Sequence, residues 1–90
     1  MTAVRIPPVL RASANGAKNV DIDGATVREV IDAFIARYPA TEGQLRAPDG
    51  EFNRFVNVFV NGTDIRHLQA LDTPVSERDQ LVLLPAMAGG

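Results

Sequence analysis

Residues 81–85 are Leu81-Val82-Leu83-Leu84-Pro85. Four consecutive apolar residues closed by a proline make a short strand. A strand apolar at every position, rather than at alternate ones, is the pattern of a strand covered on both faces. Such a strand belongs in the middle of a sheet, so the rest of the chain must supply its flanking strands and a cover.

The segment upstream with the clearest strand pattern is Arg54-Phe55-Val56-Asn57-Val58-Phe59-Val60. Val56, Val58 and Val60 share one face, and Phe55, Asn57 and Phe59 the other. Asn61-Gly62 follows, a strong short-range hairpin signal, with Thr63–Ile65 as a brief return strand. Residues 66–80 are irregular, with Leu68, Leu71 and Val75 expected as inward anchors. Further back, Thr26 and Glu29 fit a capping box, each side chain satisfying a free backbone N–H of the other. Val27, Val30, Ile31, Phe34, Ile35 and Tyr38 recur at helical spacing, with Arg28, Glu29, Asp32 and Arg37 opposite. Pro39 stops the helix near Tyr38. Roughly twelve residues make about 18 Å of helix, enough to cross a small sheet. Residues 39–53 are a polar loop, with a short helical turn around Glu42–Arg46 and Phe52 pinning it to the body.

At the N-terminus, Val4 and Ile6 alternate with Ala3 and Arg5 as a half-buried strand within residues 3–10. Pro7 and Pro8 remove two donors, so the strand either runs on with those nitrogens unpaired or ends in a bend. Ser13-Ala14-Asn15-Gly16 is a turn signal. Val20 and Ile22, alternating with Asp21 and Asp23, give a second strand that completes a hairpin. The element order is that of a two-layer α+β domain with one main helix packed on one face of a mixed sheet. Placing the last strand between the first and third uses every apolar face. That arrangement is the ubiquitin-like β-grasp.

Composition narrows the function. Ninety residues allow one domain. With 46% apolar and 22% charged residues, the profile is globular. A net charge of −2 gives no electrostatic case for nucleic acid. No apolar run is long enough for a membrane span and no secretion leader is visible, so a cytoplasmic protein is expected. The chain has no cysteine, which excludes a disulfide scaffold and a thiolate metal site. His67 is the single histidine and falls in a loop, so a histidine-based catalytic or metal site has little to stand on. Asp72, Glu77 and Asp79 lack calcium-loop spacing, and Asp21 and Asp23 read as solvent-facing. An independent enzyme is not expected, nor a bound cofactor or metal. Lys18 is the only lysine beside eight arginines, so amines open to acylation are few.

The chemistry gathers after Pro85, in Ala86-Met87-Ala88-Gly89-Gly90. We expect residues 1–85 to form the globule and residues 86–90 a flexible tail ending in the Gly90 carboxylate. Ala88, Gly89 and Gly90 add almost no bulk, so the tail can thread a narrow channel. Five residues reach at most about 16–18 Å, enough to deliver a carboxylate into a buried active site.

On these residues the sequence resembles the ThiS/MoaD family of sulfur carriers, nearest the CysO type. The resemblance spans essentially the whole chain. It is carried by Val4-Arg5-Ile6-Pro7-Pro8-Val9-Leu10-Arg11, by Arg54-Phe55-Val56-Asn57-Val58-Phe59-Val60-Asn61, and by Leu83-Leu84-Pro85-Ala86-Met87-Ala88-Gly89-Gly90. One departure is Ser76-Glu77-Arg78-Asp79, where relatives often carry an Asp-Gly-Asp turn.

The resemblance implies a protein co-substrate. An adenylyltransferase would use ATP to convert the Gly90 carboxylate into an acyl adenylate. Sulfide would then displace AMP and leave a thiocarboxylate, a standing sulfur nucleophile; a persulfide donor would leave an acyl disulfide that a thiol must cleave to the same product. A pyridoxal-phosphate cysteine synthase is the implied acceptor enzyme, with a metalloprotease releasing the product. With Val56, Val58 and Val60 facing the helix, alternation points Phe55 and Phe59 to the open side as a partner-binding patch. The resemblance implies that Leu81 and Leu83 point inward, so that Leu84 joins Phe59 and Met87 next to the tail. Arg66 is a candidate for pairing with acidic groups of a partner. Two further readings share the same tail: the small subunit of a molybdopterin-synthase-like complex, and a ubiquitin-like modifier conjugated through Gly90.

Overall fold

The computed structural model of the chain describes residues 1–53 and 55–85. Among them five strands form one mixed sheet: β1 (Thr2–Arg5), β2 (Asn19–Ile22), β3 (Val56–Val60), β4 (Thr63–Asp64) and β5 (Gln80–Pro85). The α-helices are α1 (Pro8–Arg11), α2 (Val27–Arg37) and α3 (Glu42–Leu45). The strand order is β2-β1-β5-β3-β4, which puts the last strand between the first and the third. It runs parallel to β1 and antiparallel to β3. This is the β-grasp expected from the sequence.

Helix α2 forms where its signals predict. The Glu29 N–H donates to Thr26 Oγ1 at 3.3 Å, and Glu29 Oε1 accepts from the Ala25 N–H at 3.2 Å. The box therefore closes one residue further out than the expected Thr26 N–H. Val27, Val30, Ile31, Phe34 and Ile35 are buried, and Phe34 meets the Tyr38 ring edge-on at 5.3 Å between centroids. They share one core with Val4, Ile6, Ile22, Val58, Val60, Leu81 and Leu83. Fully burying one such side chain stabilises the fold by about 1.5–3 kcal/mol. Gly24 leads into the helix and has no room for a side chain: a Cβ there would stand 2.7 Å from Val30 Cγ2 and 2.8 Å from the Val30 backbone nitrogen. The β3–β4 turn has Asn61 at φ 52° and Gly62 at φ 86°, the paired left-handed residues of a two-residue hairpin.

Four expectations are corrected. Residues 7–11 are not strand. Pro7 is extended and Pro8 opens α1 at its first position, where a proline loses nothing because that N–H has no helical partner. Leu10 is carried into the core by that turn. Leu68 is 45% exposed rather than an inward anchor, whereas Val75 is buried and Leu71 packs against the core. Strand β5 is covered on one face only: Leu81 and Leu83 are wholly buried, but Leu84 is 43% exposed. Finally, Phe55 precedes the strand instead of lying on it. Asn53 accepts the N–H groups of Phe55, at its side chain, and of Val56, at its carbonyl, so the chain is still turning there.

The departure at residues 76–79 has a structural answer. Asp79 accepts the Ser76 N–H and the Asn61 side-chain amide, each at 2.8 Å, while Asn61 Oδ1 accepts the Gln80 N–H at 2.9 Å. These donors hold the Asp79 carboxyl below the ordinary carboxylate range, led by the bond from Asn61. Neither Glu77 nor Arg78 has positive φ, so the turn needs no glycine.

Candidate functional site

The two faces of the sheet differ because α2 covers only one. The loop over residues 39–53 also packs on the helix side. Its Leu45 is buried, and its Arg46 pairs with Asp32 of α2 at 2.6 Å. Among the described residues no α-helix packs on the outer face.

Strand register places the outer side chains in rows. Phe59 stands opposite Val82, and Val82 opposite Arg5. Asn57 stands opposite Leu84, and Asp64 flanks Phe59 from β4. Phe59, Val82 and Asn57 are half-buried. Phe55, 65% exposed, sits immediately before the β3 residue Val56, which pairs with Pro85. Phe59 and Leu84 lie on neighbouring strands of this face, whereas Phe55 stands just before β3 and borders a cleft with Ala47, Phe52 and Asn53 of the loop. Since β1 runs parallel to β5, α1 with its exposed Val9 stands at the Pro85 end of the sheet.

Arg66 reaches this face but is not an unpaired cation. Its guanidinium bonds to Asp64 Oδ2 at 2.7 Å through one nitrogen and to both Asp64 oxygens at 3.2 Å through Nε. The same terminal nitrogen donates to Asn57 Oδ1 at 2.8 Å. Asp64 also accepts the Arg66 backbone N–H at 2.8 Å. The Arg66 hydrogen bonds hold the Asp64 carboxyl at about 2, well below its ordinary 3.8, and raise the Arg66 guanidinium. Arg66, expected to pair with acidic groups of a partner, already has a carboxylate from β4, and 66% of its side chain stays exposed. The sequence reading placed Asn57 on this face without giving it a role, and did not bring Asp64 to it. The available signal was Asp64-x-Arg66 after a hairpin, the pattern of an aspartate capping the turn that follows it.

Met87, Ala88, Gly89 and Gly90 lie outside the described residues. Elsewhere, a cleft of about 300 Å³ between α2 and the 46–52 loop contains Arg28 and Arg46. Both are paired with carboxylates, Arg28 with Asp72 and Arg46 with Asp32 and Glu42. No cluster of metal-ligating side chains occurs among the described residues, and no helix among them is long and apolar enough to cross a membrane.

A mixed sheet in the order β2-β1-β5-β3-β4 with its main helix on one face is the ubiquitin-like β-grasp fold. The chain matches the ThiS family over residues 4–90 and belongs to that family. It is 38% identical over 89 residues to the sulfur carrier protein CysO of Mycobacterium tuberculosis, covering 97% of this chain and 96% of the relative. In the crystal structure of the Amycolatopsis orientalis BexX/CysO complex, the matching chain superimposes with a TM-score of 0.87 at 39% identity, covering 100% of both chains. The solution structure of small archaeal modifier protein 1 from Methanosarcina acetivorans gives 0.89 at 27% identity, covering 99% of this chain and 95% of that one.

Proposed function

We propose that this protein is a sulfur carrier and a co-substrate for partner enzymes, not itself an enzyme. Its C-terminal Gly90 carboxylate is adenylated by a partner adenylyltransferase using ATP. A sulfur donor then displaces AMP and leaves a thiocarboxylate. The carried sulfur goes to cysteine or a related metabolite, through a sulfur-accepting enzyme such as a pyridoxal-phosphate cysteine synthase. A protease that trims the adduct would return the carrier to the cycle. Dependence on ATP puts this work in the cytoplasm. Residues 86–90 serve as the leash, and Phe55, Phe59, Leu84 and Met87 dock the partner.

The observation that carries this reading is the near full-length match to a sulfur carrier, which includes the Gly89-Gly90 ending. The chemistry agrees with it. A carboxylate is a poor electrophile until its oxygen is made a leaving group. With no cysteine in the chain, no internal thiol can capture the activated terminus. The likeness to a small archaeal modifier supports a second reading, conjugation of Gly90 to amines of other proteins.

Intact mass after incubation with ATP, sulfide and a cognate adenylyltransferase tests the proposal, with a variant lacking Gly90 in parallel. The expected result is a gain equal to exchanging one oxygen for sulfur, located at Gly90 and absent from the variant. An unchanged mass beside an adenylyltransferase proven active on another carrier would overturn it. Isopeptide adducts at Gly90 would favour the modifier.

A further inference from the structure

We infer that Asn57 is a partner-reading residue of the open face, and that Asp64 and Arg66 are positioning residues that fix which way its amide points. This deepens the proposed docking role of the face and rests on it. A guanidinium has donors and no acceptor. Its 2.8 Å bond to Asn57 therefore requires the amide oxygen to face Arg66. The Asn57 NH₂ group must then face the other way. Asn57 stands directly opposite Leu84, one pair from the Val56–Pro85 pair where the sheet ends. A donor is thus held beside the last apolar side chains before the tail.

Asp64 sets the direction of the relay. Its side chain is only 16% exposed and receives three side-chain bonds and one backbone bond from Arg66. That grip keeps the guanidinium from rotating, and it also balances its charge. The trio offers a partner a directed neutral donor rather than a net positive charge. The matching group on the adenylyltransferase is a neutral carbonyl oxygen, of the backbone or of an amide side chain, next to an apolar side chain seated on Phe59 and Leu84.

Two measurements test this. The first needs no partner: the order parameter of the Asn57 side-chain amide by nitrogen relaxation, in the wild type and in Arg66→Met, which keeps the stem and removes the donors. The order parameter should be close to that of the rigid backbone in the wild type and fall clearly below it in the variant. Equal order in both would overturn the relay.

The second is affinity for an adenylyltransferase already shown by mass to convert the wild type. Asn57→Asp keeps the shape and replaces the donor with an acceptor. It should keep the wild-type melting point and weaken binding about tenfold or more, the equivalent of about 1.4 kcal/mol. Arg66→Met should weaken binding less, and should add nothing in an Asn57→Ala background. Additive effects that shrink in high salt would show Arg66 meeting a partner carboxylate directly, and would overturn the assignment. Wild type that neither binds nor converts would count against the proposed function, while the relaxation result would still decide the relay.

Discussion

Leu83 and Leu84 are neighbours of the same residue type on the same strand, yet one is fully buried and the other 43% exposed. The contrast runs through the sheet. On the inner face Val4, Val58, Leu81 and Leu83 meet the apolar stripe of α2, while on the outer face Phe59, Val82 and Leu84 are left without a helix. An uncovered leucine adds little to the domain's own stability. The apolar run at 81–84 therefore splits by face: one face builds the fold, and the other is the one that the proposed docking role would use.

The comparison breaks most sharply at Leu83. Leu83→Ala should cost about 2–5 kcal/mol, since a wholly buried leucine leaves a cavity. For a domain of this size that lowers the melting midpoint by roughly 4–8 °C per kcal/mol. A thermal melt checks it, with Leu84→Ala as the outward control expected to shift far less. Equal losses at the two positions would erase the distinction between faces.

Gly24→Ala sharpens the same contrast from the helix side. The added methyl meets a backbone nitrogen at 2.8 Å, so α2 itself must shift. The expected loss is about 1–3 kcal/mol by denaturant titration, the usual range for overpacking.

The smallest effect belongs to the outer face. Asp64 should titrate at about 2, and Arg66→Met should return it toward 3.8. Because the folded value is depressed, the stability that this group contributes is present above its unfolded value. It is lost as pH falls through about 2. A carboxyl carbon titration by NMR reads both midpoints.

Much of the fold was legible because its signals are local and periodic. The stripe from Val27 to Ile35 needs only helical spacing, and the central place of β5 follows from an unbroken apolar run. Assigning Leu81 and Leu83 to the inner face needed the family resemblance, since alternation alone is symmetrical. Pro7-Pro8 was misread because two prolines weaken a strand and start a helix equally well. The deciding fact, Leu10 reaching the core, is tertiary. Leu68 was misjudged because an irregular segment has no period from which to read a face. Of the site, Phe59 and Leu84 were legible as apolar residues on an outward register, whereas Phe55 precedes the strand and has no register. The Asp64–Arg66–Asn57 contact was not, since it joins β4, the turn after it and β3 through side chains that no spacing rule connects.

The most direct measurement of the account pairs a melt with a mass, both on Phe59→Arg. This substitution places a charge at the centre of the outer face, beside Val82 and opposite Asp64. The account predicts a melting midpoint close to wild type, within about 1 kcal/mol of stability as for surface changes. It also predicts that the oxygen-to-sulfur mass gain at Gly90 disappears under conditions that fully convert the wild type. A large drop in melting midpoint would mean that Phe59 belongs to the core, and full conversion would mean that the partner does not use this face.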